Sequence, residues 1–137
     1  MIIVDTSGLF AALVENQRAH EAALSALGDG EPLVLSPFVL AELDYFLTHE
    51  AGVDFELHFL AEVAAGAYEL ADFGEQDVDE ARKLIVKYRD LAIGLTDASL
   101  VVLAERYKTN RVLTLDERHF RALRVARRPF VVLPADA

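Results

Sequence analysis

The chain has 137 residues, 53% of them hydrophobic, and a formal net charge of −10; that length suits one domain with a single sizeable core and is too short for two ordinary ones. It has no cysteine, which excludes a disulfide framework, a thiolate nucleophile and a zinc–thiolate site, and its histidines, His20, His49, His58 and His119, show no HExxH-type pairing for a histidine-built zinc centre. The acidity argues against a nucleic-acid partner, yet residues 1–100 hold 19 acids and 5 bases, a net of −14, whereas residues 101–137 hold 4 acids and 8 bases, a net of +4.

In chain order, Met1-Ile2-Ile3-Val4 reads as a buried central strand stopped by Asp5. A strand beginning at Met1 leaves no room for a signal peptide, and no apolar run approaches the roughly 18 residues of a membrane span, so a cytoplasmic protein is expected. A short buried helix over 8–14 follows, with Thr6 or Ser7 available as its cap, and then an amphipathic helix over 16–27. Gly28-Asp29-Gly30-Glu31-Pro32 is a turn, Leu33-Val34-Leu35 a strand, and Ser36-Pro37 a cap and first helical position.

The helix over 37–50 carries Val39, Leu40, Leu43, Phe46 and Leu47 as one stripe. Glu42 falls about 40° outside the edge of that stripe, bordering the core and off the solvent face. A helix over 54–65 behind a capping Asp54, an edge-like strand over 68–73 and a helix over 76–89 come next. After a loop at 91–95, Thr96 is expected to cap a helix over 97–107, on which Asp97 shares a face with Leu100, Val101 and Ala104. Residues 111–115 form a strand ended by Asp116 as the first is ended by Asp5, a short helix spans 117–123, and 129–133 is a last strand closed by Pro134.

Asp5 and Asp116 each suit two roles, helix cap or functional carboxylate, and Glu42 also suits a solvated side chain. Asp97 is harder to explain away, since a carboxylate in an apolar helix face costs several kcal/mol unless paired or bound to a cation. In an open α/β sheet the crevice beyond the carboxyl ends of the strands is where ligands bind, and all four acids point to that end. Such a like-charge cluster calls for a hard divalent cation, Mg²⁺ or Mn²⁺, which takes oxygen ligands and assists phosphodiester hydrolysis.

These stretches, Ile3-Val4-Asp5-Thr6-Ser7, Ser36-Pro37 leading to Ala41-Glu42-Leu43, Leu95-Thr96-Asp97-Ala98-Ser99-Leu100, and Val112-Leu113-Thr114-Leu115-Asp116 with Phe120, resemble the PIN-domain ribonucleases, specifically the VapC toxins of type II toxin–antitoxin pairs. The resemblance spans nearly the whole chain. It implies a single three-layer α/β/α domain over 1–137 with a central, mainly parallel sheet of about five strands. It also implies a Mg²⁺- or Mn²⁺-dependent endoribonuclease whose metal-binding catalytic cluster is Asp5, Glu42, Asp97 and Asp116, lined by Thr6, Ser7 and Thr96. RNA such as tRNA or rRNA is the implied substrate, a cognate VapB-type antitoxin the inhibitor, and a homodimer the assembly; DNA binding by this chain alone is not expected. Arg118 and Arg121, just beyond Asp116, are the phosphate-contact candidates, and His119 is expected at the surface. A receiver-like phosphoacceptor is disfavoured because no lysine follows Lys108, and a dinucleotide module because Asp-Thr-Ser-Gly stands where GxGxxG would. A non-catalytic PIN scaffold that only binds RNA or antitoxin is the remaining alternative, and it would predict a damaged acidic cluster.

Overall fold

The structure is a computed structural model and describes residues 1–28 and 30–137, so Asp29 in the expected turn lies outside the described residues. Its centre is a five-stranded parallel sheet. The strands are β1 (Ile2–Val4), β2 (Leu33–Leu35), β3 (Glu69–Leu70), β4 (Arg111–Leu113) and, after a short ribbon of β5 (Arg124–Val125) and β6 (Arg128–Pro129), β7 (Val131–Leu133). They lie in the order β3-β2-β1-β4-β7. All three residues of β1 are fully buried, as expected of β-branched and apolar side chains in a central parallel strand covered on both faces. Helices flank the sheet: α1 (Thr6–Leu13), α2 (His20–Ala26), α3 (Pro37–Ala51), α4 (Val53–Ala64), α5 (Glu75–Lys87), α6 (Leu95–Arg106) and α7 (Glu117–Ala122). The architecture is therefore the three-layer α/β/α arrangement that the sequence implied. Among the described residues no helix is long and apolar enough to cross a membrane.

The chain runs from β1 outward through β2 to β3, then returns to place β4 on the other side of β1. The order reverses between β1 and β4, and the crevice at their carboxyl ends is the switch point where open α/β sheets bind ligands. Val4 pairs with Leu113, and the Asp5 N–H donates to the Leu113 carbonyl at 2.9 Å, so both strands stop side by side. Gly8 permits this closeness: a Cβ there would stand 2.4 Å from the Leu113 carbonyl oxygen. Gly8→Ala should therefore cost about 1–3 kcal/mol through overpacking. Urea unfolding reads this as a lower midpoint, and an unchanged midpoint would contradict so tight an α1–β4 contact.

Several boundaries differ from the sequence expectation, each for a local reason. Helix α1 begins at Thr6, capped by Asp5, whose carboxylate accepts the Thr6 N–H; Thr6 and Ser7 lie in its first turn and do not cap it. Turn bonds from the Gln17 N–H to the Val14 carbonyl and from the His20 N–H to the Gln17 carbonyl hold the chain before α2, so that helix loses its expected first turn. Gly52, at φ 92, both ends α3 and caps α4; Asp54 sits inside the first turn, where its charge suits the helix dipole. The edge strand shrinks to Glu69–Leu70. Gly94, not Thr96, caps α6, which frees the Thr96 hydroxyl. The β5–β6 ribbon was not foreseen: its two central residues, Ala126 and Arg127, have φ of 47° and 70°, a hairpin turn without the Asn-Gly signal that announces one.

Candidate active site

Each acid at the switch point is placed by a different element, and hydroxyl groups tie those elements together. Asp5, at the end of β1, is 6% exposed. One of its oxygens accepts the Thr6 N–H at 2.9 Å and the other the Thr114 hydroxyl at 2.6 Å. The cap and cluster roles thus coexist. The Thr114 oxygen in turn accepts the Asp116 N–H at 3.0 Å, and the Ser7 oxygen accepts the Leu115 N–H at 3.0 Å. Residues 114–116, bent out of β4, are laced to the start of α1.

Glu42, in the second turn of α3, accepts the Thr6 hydroxyl on one oxygen and the Thr96 hydroxyl on the other, each at 2.7 Å. Contrary to the expectation that it borders the core, Glu42 is exposed. The reason is that it lies on the wall of an open cleft, where its two hydroxyl partners join α1, α3 and α6. Asp97, third residue of α6, is partly buried beside the fully buried Leu100, Val101 and Ala104. Asp116 caps α7, accepting the His119 N–H on Oδ1 at 3.1 Å.

Asp5, Glu42, Asp97 and Asp116, with Thr6 and Ser7, line one cleft of about 600 Å³ whose remaining wall includes Phe10 and Phe46. Burial pushes the Asp5 carboxyl up to about 6, with the charges of Asp97 and Glu42 adding to it and the Thr114 and Thr6 bonds opposing. Burial also raises Asp97; His119 opposes that shift, while the charges of Asp116 and Glu42 reinforce it. Among the described residues no lysine or arginine forms an ion pair with these four acids. A hard divalent cation fits such a donor set.

The sequence placed His119 at the surface, and the structure corrects this. Its side chain is 20% exposed, and Nδ1 lies 2.9 Å from Oδ2 of Asp97 and 2.9 Å from Oδ2 of Asp116. The available signal was its position three residues after a capping aspartate, which puts both on one helix face. Asp97, Asp116 and His119 each offer a ligand atom, all within 4.8 Å of one another.

The two arginines diverge. Arg121 is held by both oxygens of Asp136, each at 2.7 Å, and by Glu117 at 3.0 Å. Because Asp136 also accepts the Val132 N–H, Arg121 fastens the C-terminal residues to α7. Arg118 is exposed and makes no side-chain hydrogen bond or ion pair among the described residues. Elsewhere in the basic C-terminal region Arg106 pairs with Asp77, Arg111 with Glu31, and Arg124 donates to the carbonyls that end α7.

Similarity to known proteins bears on the family and the fold. The PIN domain family profile matches residues 2–126. Ribonuclease VapC26 of Mycobacterium tuberculosis (strain ATCC 25618 / H37Rv) is 44% identical over 135 residues, covering 97% of this chain and 100% of that protein. The crystal structure of Mycobacterium tuberculosis VapC20, described as a sarcin–ricin loop cleaving toxin, superimposes with a TM-score of 0.77 at 18% identity, covering 85% of this chain and 90% of that one.

Proposed function

This chain belongs to the PIN domain family, with a VapC ribonuclease as a full-length relative, and from that premise we propose that it is a Mg²⁺- or Mn²⁺-dependent endoribonuclease and the toxin of a VapBC-type pair. The observation that carries the reading is the convergence of Asp5, Glu42, Asp97 and Asp116 on one cleft at the sheet's switch point. We take residues 1–137 as a single domain acting on structured cellular RNA, such as tRNA or rRNA, in the cytoplasm.

Asp5 and Asp97 are the principal ligands in this reading, and Glu42 and Asp116 complete the site directly or through water. A bound divalent ion supplies charge stabilisation on a phosphodiester and acidifies water. The protein's own groups do the rest. The Thr6 and Thr96 hydroxyls clamp both oxygens of Glu42, fixing a carboxylate that can orient the attacking water. Ser7 offers its hydroxyl to the substrate's phosphate oxygens, and the Thr6 and Thr96 oxygens, their protons given to Glu42, accept from sugar hydroxyls.

Arg118 contacts phosphate, whereas Arg121 is committed to Asp136 and Glu117. Arg118→Ala should raise KM for RNA several-fold with kcat little changed, and should lower the salt dependence of binding by about one phosphate contact. An unchanged KM and salt slope would remove Arg118 from the substrate path.

Apolar side chains left uncovered on α3 and α4, Tyr45, Phe46, Val53 and Leu57, offer surface for a homodimer and for a VapB-type antitoxin. A basic antitoxin segment suits the acidic cleft electrostatically. Induced in a bacterial host, the chain should arrest growth and create a discrete set of new RNA 5′ ends, both suppressed by Glu42→Gln. Continued growth without new ends would turn the reading towards a non-catalytic binding module.

A further inference from the structure

We propose that His119 is a metal ligand, joining Asp97 and Asp116 in a nitrogen-containing site that selects Mn²⁺ over Mg²⁺. The inference rests on the metal-dependent reading above and adds to it a residue outside the four acids.

The placement of His119 Nδ1 is the starting point. It faces Oδ2 of Asp97 and Oδ2 of Asp116 at 2.9 Å each. A histidine bridging two carboxylates as a structural ion pair would aim an N–H at one of them. Here the buried Nδ1 stands 2.9 Å from both oxygens without a well-directed hydrogen bond to either, although His119 still counteracts the rise of the Asp97 carboxyl. Buried polar atoms left so are uncommon and call for an explanation such as an ion.

The spacing supplies that explanation. Adjacent ligands of an octahedral ion with bonds of about 2.1 Å stand about 3.0 Å apart. The two 2.9 Å separations match that edge, and the three donor atoms lie together within 4.8 Å. The orientation is also fixed in advance. Oδ1 of Asp116 is occupied by the His119 main-chain N–H, which leaves Oδ2 turned towards the ring. One aspartate thus positions both itself and the imidazole.

Ion preference follows from donor chemistry. Mg²⁺ favours an all-oxygen shell and keeps its waters, whereas an imidazole donor favours first-row transition ions, of which Mn²⁺ is the one closest to Mg²⁺ in its liking for carboxylate oxygens. With Asp97, Asp116 and His119 as donors, Asp5 still has room to bind, Glu42 to act through water, and a phosphate oxygen to enter, as a catalytic site requires.

The test uses the full chain, stripped of metal and titrated with Mn²⁺ or Mg²⁺ alone. Wild type should bind Mn²⁺ more tightly than Mg²⁺, and pulsed electron paramagnetic resonance of the bound Mn²⁺ should show coupling to an imidazole nitrogen. In His119→Gln the coupling should vanish and Mn²⁺ affinity should fall by at least the roughly 10- to 100-fold that losing even an outer-shell partner costs, with Mg²⁺ affinity changing less. Bound Mn²⁺ without nitrogen coupling in wild type overturns the assignment of His119 alone, whether or not the variant folds. Failure of wild type to bind either ion overturns both this inference and the metal-dependent reading.

Discussion

Asp5→Asn should leave the fold intact and lower RNA cleavage by about 10²- to 10⁴-fold, the several kcal/mol that a charge-stabilising ion contributes. The substitution suits the local hydrogen bonds unusually well. The amide oxygen of Asn can still accept the Thr6 N–H that caps α1, and its NH₂ can donate to the Thr114 oxygen in place of the bond Thr114 now donates to Asp5. Shape, cap and strand-end lacing are kept while the charge is removed. Circular dichroism identical to wild type, with single-turnover cleavage nearly abolished, is the expected pair of results. Retained cleavage in a folded Asp5→Asn protein would remove this carboxylate from the chemistry.

The same substitution should stabilise the metal-free protein near neutral pH, by on the order of 3 kcal/mol, because Asp5 titrates near 6 when folded against a reference of 3.8. Its raised value means that folding disfavours the ionised form. Below pH 3.8 the side chain is protonated whether folded or not, and no penalty applies. Between pH 3.8 and about 6 the unfolded chain ionises Asp5 while the native state, with that carboxyl buried beside Asp97 and Glu42, keeps its proton, so stability falls as pH rises and levels off above 6. Chemical denaturation across pH 4 to 8 should therefore show Asp5→Asn above wild type at pH 7 and the two converging towards pH 4. Mg²⁺ or Mn²⁺ should raise wild-type stability at pH 7 and help the variant less. Wild type and variant equally stable at every pH would mean that the cluster carries no such strain.

The contrast between what was and was not legible in the sequence follows from the range of the signals. Ile2-Ile3-Val4 and Val112-Leu113 announced themselves as buried strands because parallel strands covered on both faces need continuous apolar runs. The aspartates that stop them were visible for the same reason. All four acids read from the sequence line one cleft, since strand ends and helix starts fix where such residues emerge. Capping was misread at α4 and α6, and left open among Asp5, Thr6 and Ser7 at α1, because competing candidates stand one or two residues apart. Gly52 and Gly94 cap without any side chain to advertise it. Treating Thr96 as a cap hid its actual partner, Glu42, which is 54 residues away in sequence. Contacts of that kind depend on how α3 meets α6, and no local pattern encodes them. His119 and Arg121 show the same limit: the first turns inward to Asp97 and the second towards Asp136, both through the packing of α7.

If the acidic cleft cuts RNA with the help of a divalent ion, metal-stripped protein should leave structured RNA intact. Restored with Mg²⁺ or Mn²⁺, the purified chain should cut at discrete sites, and chelator or Asp97→Asn should stop it. Equal cutting in chelator, or RNA bound and left intact with either ion present, would contradict the account.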